Sequence, residues 1–487
     1  MRIVVVYDET VPVPRAISRI IGAQRFGDIV RRRQRLADAV RTMVEANTVG
    51  EYVRLIDEEQ VPELLEYLQK LPSEAKVFRL PSSIVPLATD IFAALIAKLP
   101  YALSEVIYGE ANASDAPTLL SRDNAVALLG ERDAAGRRRF IQGLETQSVR
   151  VGNQARFADI SQISTFLTFM SGGTEARHFN STSQSGGVFR KRSRDKAKMR
   201  GEYSFFHIAD EGMKRFLQPT FDFIDEDDNA SYAMEQLSVP DAAMQIVHDT
   251  FDEATFDRFT DCFFAFLASR GRDAVGAAEV RLVGQRDIID KLDMRIAQLR
   301  ETPVGAHLDR WLEISGPHGS LDVLVDRCGS SLREGFARSQ LDYLALSHGD
   351  PCFSNILYNS EINLFRLIDP RGSESREGAF MHPFYDVAKF SHSALGGYDF
   401  VNSGLAECKL NGRMQLSLAM ERGGPPNWMK EAFRSKLDAH GWDVGLTRAI
   451  EASLFLSMLP LHGDSPEKLP AFCLIAGDIL AELEDSV

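Results

Sequence analysis

Short β-branched runs alternate with longer amphipathic stretches at the start of the chain. Residues 2–7 (RIVVVY) are a short β-branched run with Asp8 at its end, which predicts a buried strand. A helical period follows from Phe26 to Glu45. EYVRLID (51–57) then predicts a second strand and VPELLEYLQKL (61–71) a helix. KVFRLP (76–81) predicts a third strand, and Ala88 to Lys98 another helix. Strands alternating with helices imply an α/β domain with a largely parallel sheet. Its expected span is residues 1–150, closing after the charged stretch GERDAAGRRRF (130–140).

Beyond that point the pattern changes. ARHFNST (176–182) and GGVFRKRS (186–193) flank a Gln184-Ser185-Gly186-Gly187 turn, which signals a hairpin. DKAKMRGEYSFFHIAD (195–210) reads as a helix. PTFDFID (219–225) and SYAMEQL (231–237) read as a second strand pair around an acidic turn. From Val239 onward the period is mostly helical, apart from a strand-like region around 354–369. The expected division is therefore 1–150, a smaller lobe over 151–238, and a mostly helical lobe over 239–487.

Composition narrows the class of protein. With 487 residues the chain has room for about three domain-sized units. At 44% hydrophobic and 25% charged residues, disorder as the main state is excluded. Lys and Arg number 55 against 69 Asp and Glu, a net charge of −14, which repels nucleic acid and anionic membranes. The five cysteines form no C-x-x-C pair, which argues against a disulfide framework or zinc site and fits a reducing cytoplasm. MRIVVVYDE turns acidic at once, unlike a signal peptide. The apolar stretch Ile84 to Leu103 is interrupted by Asp90, Lys98 and two prolines, so no membrane insertion is expected.

The densest chemistry lies in SHGDPCFSNILYN (347–359) and LFRLIDPRG (364–372). His348, Asp350, Asn355 and Asp369 occupy short polar breaks between apolar runs, so they converge on one edge of a core. An amide and a carboxylate one hairpin apart suit Mg²⁺, which takes a few oxygen ligands and shares the rest with phosphates. Asp350 is then left to accept a hydroxyl proton. The bland alternative is a chance H-G-D turn with Asp369 as a helix cap.

H-x-D-x-x-x-x-N followed by a hydrophobic run and I-D resembles the signature of aminoglycoside phosphotransferases and choline kinases, a superfamily with the protein-kinase-like fold. The resemblance spans about residues 170–487. It implies an α+β bilobal protein-kinase-like domain, preceded here by the α/β N-terminal domain. It implies Asp350 as catalytic base, with His348 bracing the loop, and Asn355 and Asp369 as Mg²⁺ ligands. Lys191 matches the lysine on the ATP phosphates and Glu202 its glutamate partner. Met234 and Glu235 would flank the adenine. There is no G-x-G-x-x-G, so Asn180, Ser181 and the Gly186-Gly187 pair would cover the phosphates. Asp386 in HPFYDVAKF (382–390) would anchor the catalytic loop, or else cap its helix. Arg371 could steady an anionic group of the acceptor, or equally pair with Asp369 or Glu374.

GGYDF (396–400) and SMLPLHGDSPEKLPAF (457–472), together with the HGD-x-C-F-S-N-I-L-Y and I-D-P-R-G elements, resemble bacterial phosphotransferases of capsule and other surface-polysaccharide loci. That resemblance implies Tyr398, Asp399, His462 and Asp464 near the acceptor, unless they serve interhelical hydrogen bonding. It also implies a small-molecule acceptor with a free hydroxyl, a sugar or sugar-like polyol, and surface-glycan assembly enzymes as partners. Cys352 reads as a small buried side chain, since no covalent intermediate is needed.

The N-terminal domain is less explicit. Asp8 after a strand is compatible with a nucleotide-binding βα unit or a degenerate nucleotidyltransferase-like domain. Val11-Pro12-Val13-Pro14 is too stiff to wrap phosphate, which favours docking or substrate presentation. Arg31, Arg32 and Arg33 are expected on a solvated helix face. The rival readings for the whole chain are a nucleotide-binding pseudokinase scaffold and a bifunctional nucleotidyltransferase-kinase.

Overall fold

The computed structural model describes residues 2–22, 25–47, 50–108, 115–131, 133–144, 149–151, 157–171, 180–185, 187–463 and 465–485. The chain forms two compact units, Met1–Glu175 and Ala176–Val487.

In the first unit, β1 (Ile3–Asp8) is buried along its whole length, as its unbroken apolar run requires. It lies parallel to β2 (Glu51–Leu55) on one side and β3 (Lys76–Pro81) on the other. After β4 (Ile84–Pro86) come β5 (Val106–Tyr108), β6 (Thr118–Ser121) and β7 (Val149–Val151). The sheet order is β2-β1-β3-β6-β5-β7. β6 runs antiparallel to both β3 and β5, while β5 and β7 are parallel. Five of the six strands therefore share one direction, as expected of a largely parallel sheet, and β6 alone runs against them. The link from Tyr108 to Thr118 is shorter than the dozen or so residues that a parallel crossover needs.

The unit also continues past the expected boundary near residue 150. β8 (Phe157–Asp159) pairs antiparallel with β4, drawing the following segment into the same unit. The arginine cluster is a second departure. Arg31 lies on a two-residue strand facing Gln34–Arg35, and Arg32 and Arg33 make the turn at φ of 47° and 66°. The following helix begins only at Leu36. Arg31 Nε donates to the Phe169 carbonyl at 2.9 Å, and the guanidinium sits 3.9 Å from that ring's centre.

In the second unit, β9 (Asn180–Ser185), β10 (Val188–Ser193), β11 (Thr220–Asp225) and β12 (Ala230–Glu235) form an antiparallel sheet in the order β9-β10-β12-β11. Helix α1 (Lys196–Ile208), capped by the Asp195 side chain on the Lys198 amide, covers one face through Met199 and Glu202, while its Phe205 turns to the phenylalanine cluster of the helical part. The rest is mainly helical. α2 (Glu253–Ser269) repeats phenylalanine at helical spacing, burying Phe256, Phe259, Phe263 and Phe266. These rings meet α3 (Phe384–Ala394): Phe263 and Phe390 stack at 3.9 Å. α4 (Val444–Ser457) and α5 (Lys468–Asp485) complete a second apolar cluster with Leu321, Leu324 and Leu332.

Three short strands carry the polar loops. β13 (Tyr343–Leu346) precedes Ser347, and β14 (Ile356–Asn359) and β15 (Leu364–Leu367) form the hairpin expected around 354–369. A further hairpin, Ala406–Leu410 with Leu416–Met420, lies in a region read as helical. Its strands, AECKL and LSLAM, alternate apolar and polar positions, and Ala406, Cys408, Leu416, Leu418 and Met420 face the helical core, so a period-two signal was present there. Among the described residues no helix is long and apolar enough to cross a membrane.

Candidate active site

The loop after β13 is held by the core beneath it. Asp386, buried in the first turn of α3, accepts the His348 amide at 3.1 Å and the Gly349 amide at 2.7 Å. Arg270 Nη1 bonds the same carboxylate at 3.1 Å, and its Nη2 donates to the Pro383 carbonyl at 3.1 Å. A buried carboxylate with one cation and two amide donors is well compensated. Gly349 has φ of 82°, and a Cβ there would come within 2.7 Å of the Arg371 side chain, so glycine is required twice over. Phe353 enters the phenylalanine cluster, 5.2 Å from Phe259 and 4.9 Å from Phe390. Its amide donates to Ser393 Oγ.

This anchoring presents Asp350 at the loop surface. Its Oδ1 lies 3.0 Å from Lys389 Nζ, one turn beyond Asp386 on α3. Burial works against the Lys389 charge, but Asp350 and the Tyr385 phenol outweigh it and raise its pKa. His348 is buried and accepts the Asp350 amide on Nδ1 at 3.3 Å. Burial lowers its pKa, which favours the neutral ring. Asn355 Nδ2 donates to the Asp350 carbonyl at 2.9 Å, which leaves the amide oxygen as its acceptor. Cys352 is buried, and burial pushes its thiol up, away from the reactive thiolate.

Asp369 follows β15. The Ile368 amide bonds the Asn355 carbonyl at 3.0 Å, tying the two polar segments together, and Asp369 itself adopts φ of 56°. Its Oδ1 lies 3.0 Å from Lys191 Nζ. The same nitrogen donates to Glu202 Oε2 at 2.8 Å, and the Tyr232 hydroxyl donates to that oxygen at 2.9 Å. Lys191 and Tyr232 are register partners on β10 and β12, so both face α1. Burial opposes the ammonium charge, but Asp369 and Glu202 outweigh it and raise its pKa. The arrangement depends on a close backbone approach. Gly372, at φ of 73°, lies against Gly201 of α1, and a Cβ on it would fall 2.4 Å from the Gly201 carbonyl carbon. That contact brings the segment after Asp369 beside Glu202.

Asn355 and Asp369 together offer an amide oxygen and a half-exposed carboxylate, hard donors of the kind Mg²⁺ takes. Met234 is buried near the end of β12. The Glu235 carbonyl already accepts Gln218 Nε2 at 2.9 Å. Asn180 and Ser181 lie on β9, but their side chains are outside the described residues, as is Asp464. Arg371 pairs with neither carboxylate considered for it. Asp369 takes Lys191, Glu374 takes Arg200, and the Arg371 guanidinium sits 5.9 Å from the Tyr385 ring centre. Tyr398 stacks on His392 at 4.2 Å, and His462 meets Phe472 at 5.3 Å. Asp399 is buried, and burial raises its carboxyl to about 7.

Sequence reasoning missed Lys389, Arg270, Lys291 and Tyr385. For Lys389 a signal was present: a lysine three residues after Asp386 falls on the same helix face. Arg270 carried none, because its partner is distant in sequence.

No family model matches the chain, and no curated protein matches it. Among solved structures, a thermostable mutant of aminoglycoside phosphotransferase APH(4)-Ia in ternary complex with ADP and hygromycin B aligns at 9% identity and a TM-score of 0.37, over 65% of this chain and 97% of that one. A ternary complex with AMP-PNP and hygromycin B aligns at 10% identity and 0.36, over 66% and 99%. Aminoglycoside phosphotransferase APH(4)-Ia itself aligns at 10% identity and 0.35, over 64% and 97%.

Proposed function

We propose that this chain is an ATP-dependent phosphotransferase acting on a hydroxyl of a small molecule. The observation that carries the reading is the Glu202–Lys191–Asp369 chain of contacts, joined through the Ile368–Asn355 backbone bond to the loop that presents Asp350. A buried lysine between two carboxylates, beside an amide oxygen and a separate carboxylate, is what metal-nucleotide binding and hydroxyl activation need.

In this reading Lys191 steadies the nucleotide phosphates, and Glu202 with Tyr232 fixes its position. Asn355 and Asp369 would hold Mg²⁺, which would supply positive charge against the phosphates. Asp350 orients the acceptor hydroxyl and takes its proton. The acceptor oxygen forms a bond to the γ-phosphorus as the bond to the ADP oxygen breaks, and ADP leaves. His348 and Asp386 position the loop and do not react. The acceptor is a sugar or sugar-like polyol of surface-polysaccharide synthesis, handled in the cytoplasm alongside glycan-assembly enzymes. Sequence resemblance alone supports that finer part. The first unit serves docking or substrate presentation, a role supported by the full engagement of Asp8 with Arg79 and Thr10.

The test is ADP release from Mg-ATP against sugars, polyols, amino alcohols and aminoglycosides. Turnover on one class should fall about 10²–10⁴-fold in Asp350→Ala while nucleotide binding persists. Asp369→Ala should instead lose Mg-ATP binding. Equal, mild effects from both substitutions would sink the assignments.

A further inference from the structure

The surroundings of Asp350 differ from those of Asp369. Asp369 shares Lys191 with Glu202, which also has Lys198 at 3.6 Å, so two carboxylates face two lysines there. Around Asp350 cations are in excess. Lys389 Nζ lies 3.0 Å from its carboxylate. One turn earlier on α3, Tyr385 is buried and accepts Lys291 Nζ on its hydroxyl at 3.0 Å. Arg371 lies over the same ring, and its backbone amide bonds the His348 carbonyl at 2.8 Å, which fixes it to the catalytic loop.

Three cations therefore surround one phenol beside one carboxylate. Among the described residues, neither Lys291 nor Arg371 forms an ion pair with a carboxylate. Asp287, one turn before Lys291, is engaged by Arg286 at 2.8 Å. Burial alone raises a tyrosine, yet Lys291, Lys389 and Arg371 outweigh it and lower the Tyr385 pKa. Such a group of like charges is unfavourable unless an anion joins it. In a chain of net charge −14, it is also a local reversal of the prevailing field. The nucleotide phosphates are served by Lys191 at the other carboxylate, so the free positive charge belongs to the acceptor end.

We propose that the acceptor is itself an anion: a hydroxyl compound bearing a phosphate or carboxylate, held by Lys291, Arg371 and Lys389 while its hydroxyl meets Asp350. This rests on the phosphotransferase reading for the role of Asp350. A cationic aminoglycoside would meet repulsion here.

Calorimetry on the full chain with Mg²⁺ and AMP-PNP tests the idea. The probes are glucose 1-phosphate, glucuronate, inorganic phosphate, glucose and kanamycin. At least one anionic sugar should bind about tenfold or more tighter than glucose, and the two anionic sugars separate phosphate from carboxylate preference. Lys291→Gln and Arg371→Gln should each weaken that binding about tenfold while AMP-PNP affinity stays within about twofold. Tightest binding of glucose or kanamycin, no binding of any anion, or variants that weaken AMP-PNP instead would each overturn the proposal. ATP-dependent phosphorylation of neutral acceptors alone would also overturn it and leave the phosphotransferase reading intact. Anion binding as described, with no ADP release from any acceptor, would remove the phosphotransferase reading and keep the anion site.

Discussion

Each unit buries a strand-borne cation between two carboxylates, and the two constellations differ in how they end. In the first, Arg79 donates to Asp8 at 2.7 Å and grips Asp115 with two nitrogens at 2.7 and 3.3 Å. The other Asp8 oxygen is taken by the amide and hydroxyl of Thr10. In the second, Lys191 reaches Glu202 and Asp369, but Asp369 keeps 37% of its side chain exposed, against 0% for Asp8. Arginine's fork saturates its partners, whereas an ammonium leaves carboxylate oxygens for others. The same ingredients thus make a closed structural brace in one unit and a solvent-open edge in the other.

That contrast can be broken by exchanging what each cation supports. Arg79→Met leaves Asp8 buried without its partner and should cost about 3–5 kcal/mol in urea denaturation, with turnover per folded molecule unchanged. A large loss of turnover would make the first unit part of the chemistry. Lys191→Met should act the other way, lowering kcat/KM by about 10²–10³-fold in ADP-release assays. Its loss of stability should be the smaller one, since Glu202 retains Tyr232 and has Lys198 at 3.6 Å. A Lys191 variant that melts early yet binds nucleotide normally would erase the distinction.

Asp399 is a third case, a buried carboxyl with no cation partner among the described residues. Burial raises it to about 7, above its ordinary value of 3.8, so the folded state keeps a proton that the unfolded state has lost. Its contribution is fully present below the unfolded pKa and is lost as pH rises toward 7, by up to a few kcal/mol. Asp399→Asn should flatten that decline in denaturation curves taken from pH 4 to pH 8. An unchanged slope would mean that Asp399 is solvated. The smallest effect is expected of Tyr232→Phe, which removes one hydrogen bond to Glu202. It should cost about 1 kcal/mol of stability and raise KM for ATP only slightly.

How much of this was legible follows from chain distance. Asp350, Asn355 and Asp369 stand within one loop and hairpin, so their spacing carries the geometry. Lys191 and Glu202 came through the family resemblance, as matches on a hairpin strand and on the helix that follows it. Lys389, Lys291 and Arg270 find their partners across the tertiary fold, where no local period reports them. In the first unit, β8 reaches back to β4 past a long stretch of chain, which moved the boundary beyond residue 150. The arginine cluster looked helical by neighbourhood, yet Arg32 and Arg33 take left-handed turn conformations that composition does not encode.

The bonds from Asp386 to the His348 and Gly349 amides have a consequence for exchange with solvent. Both amides are buried and end on a helix embedded in the largest aromatic cluster. They can reach water only when α3 leaves that cluster, an opening close in free energy to unfolding the whole unit. In deuterated buffer these loop amides should therefore exchange as slowly as the core helices. The loop that presents Asp350 is then not a mobile segment, but part of the last structure to open.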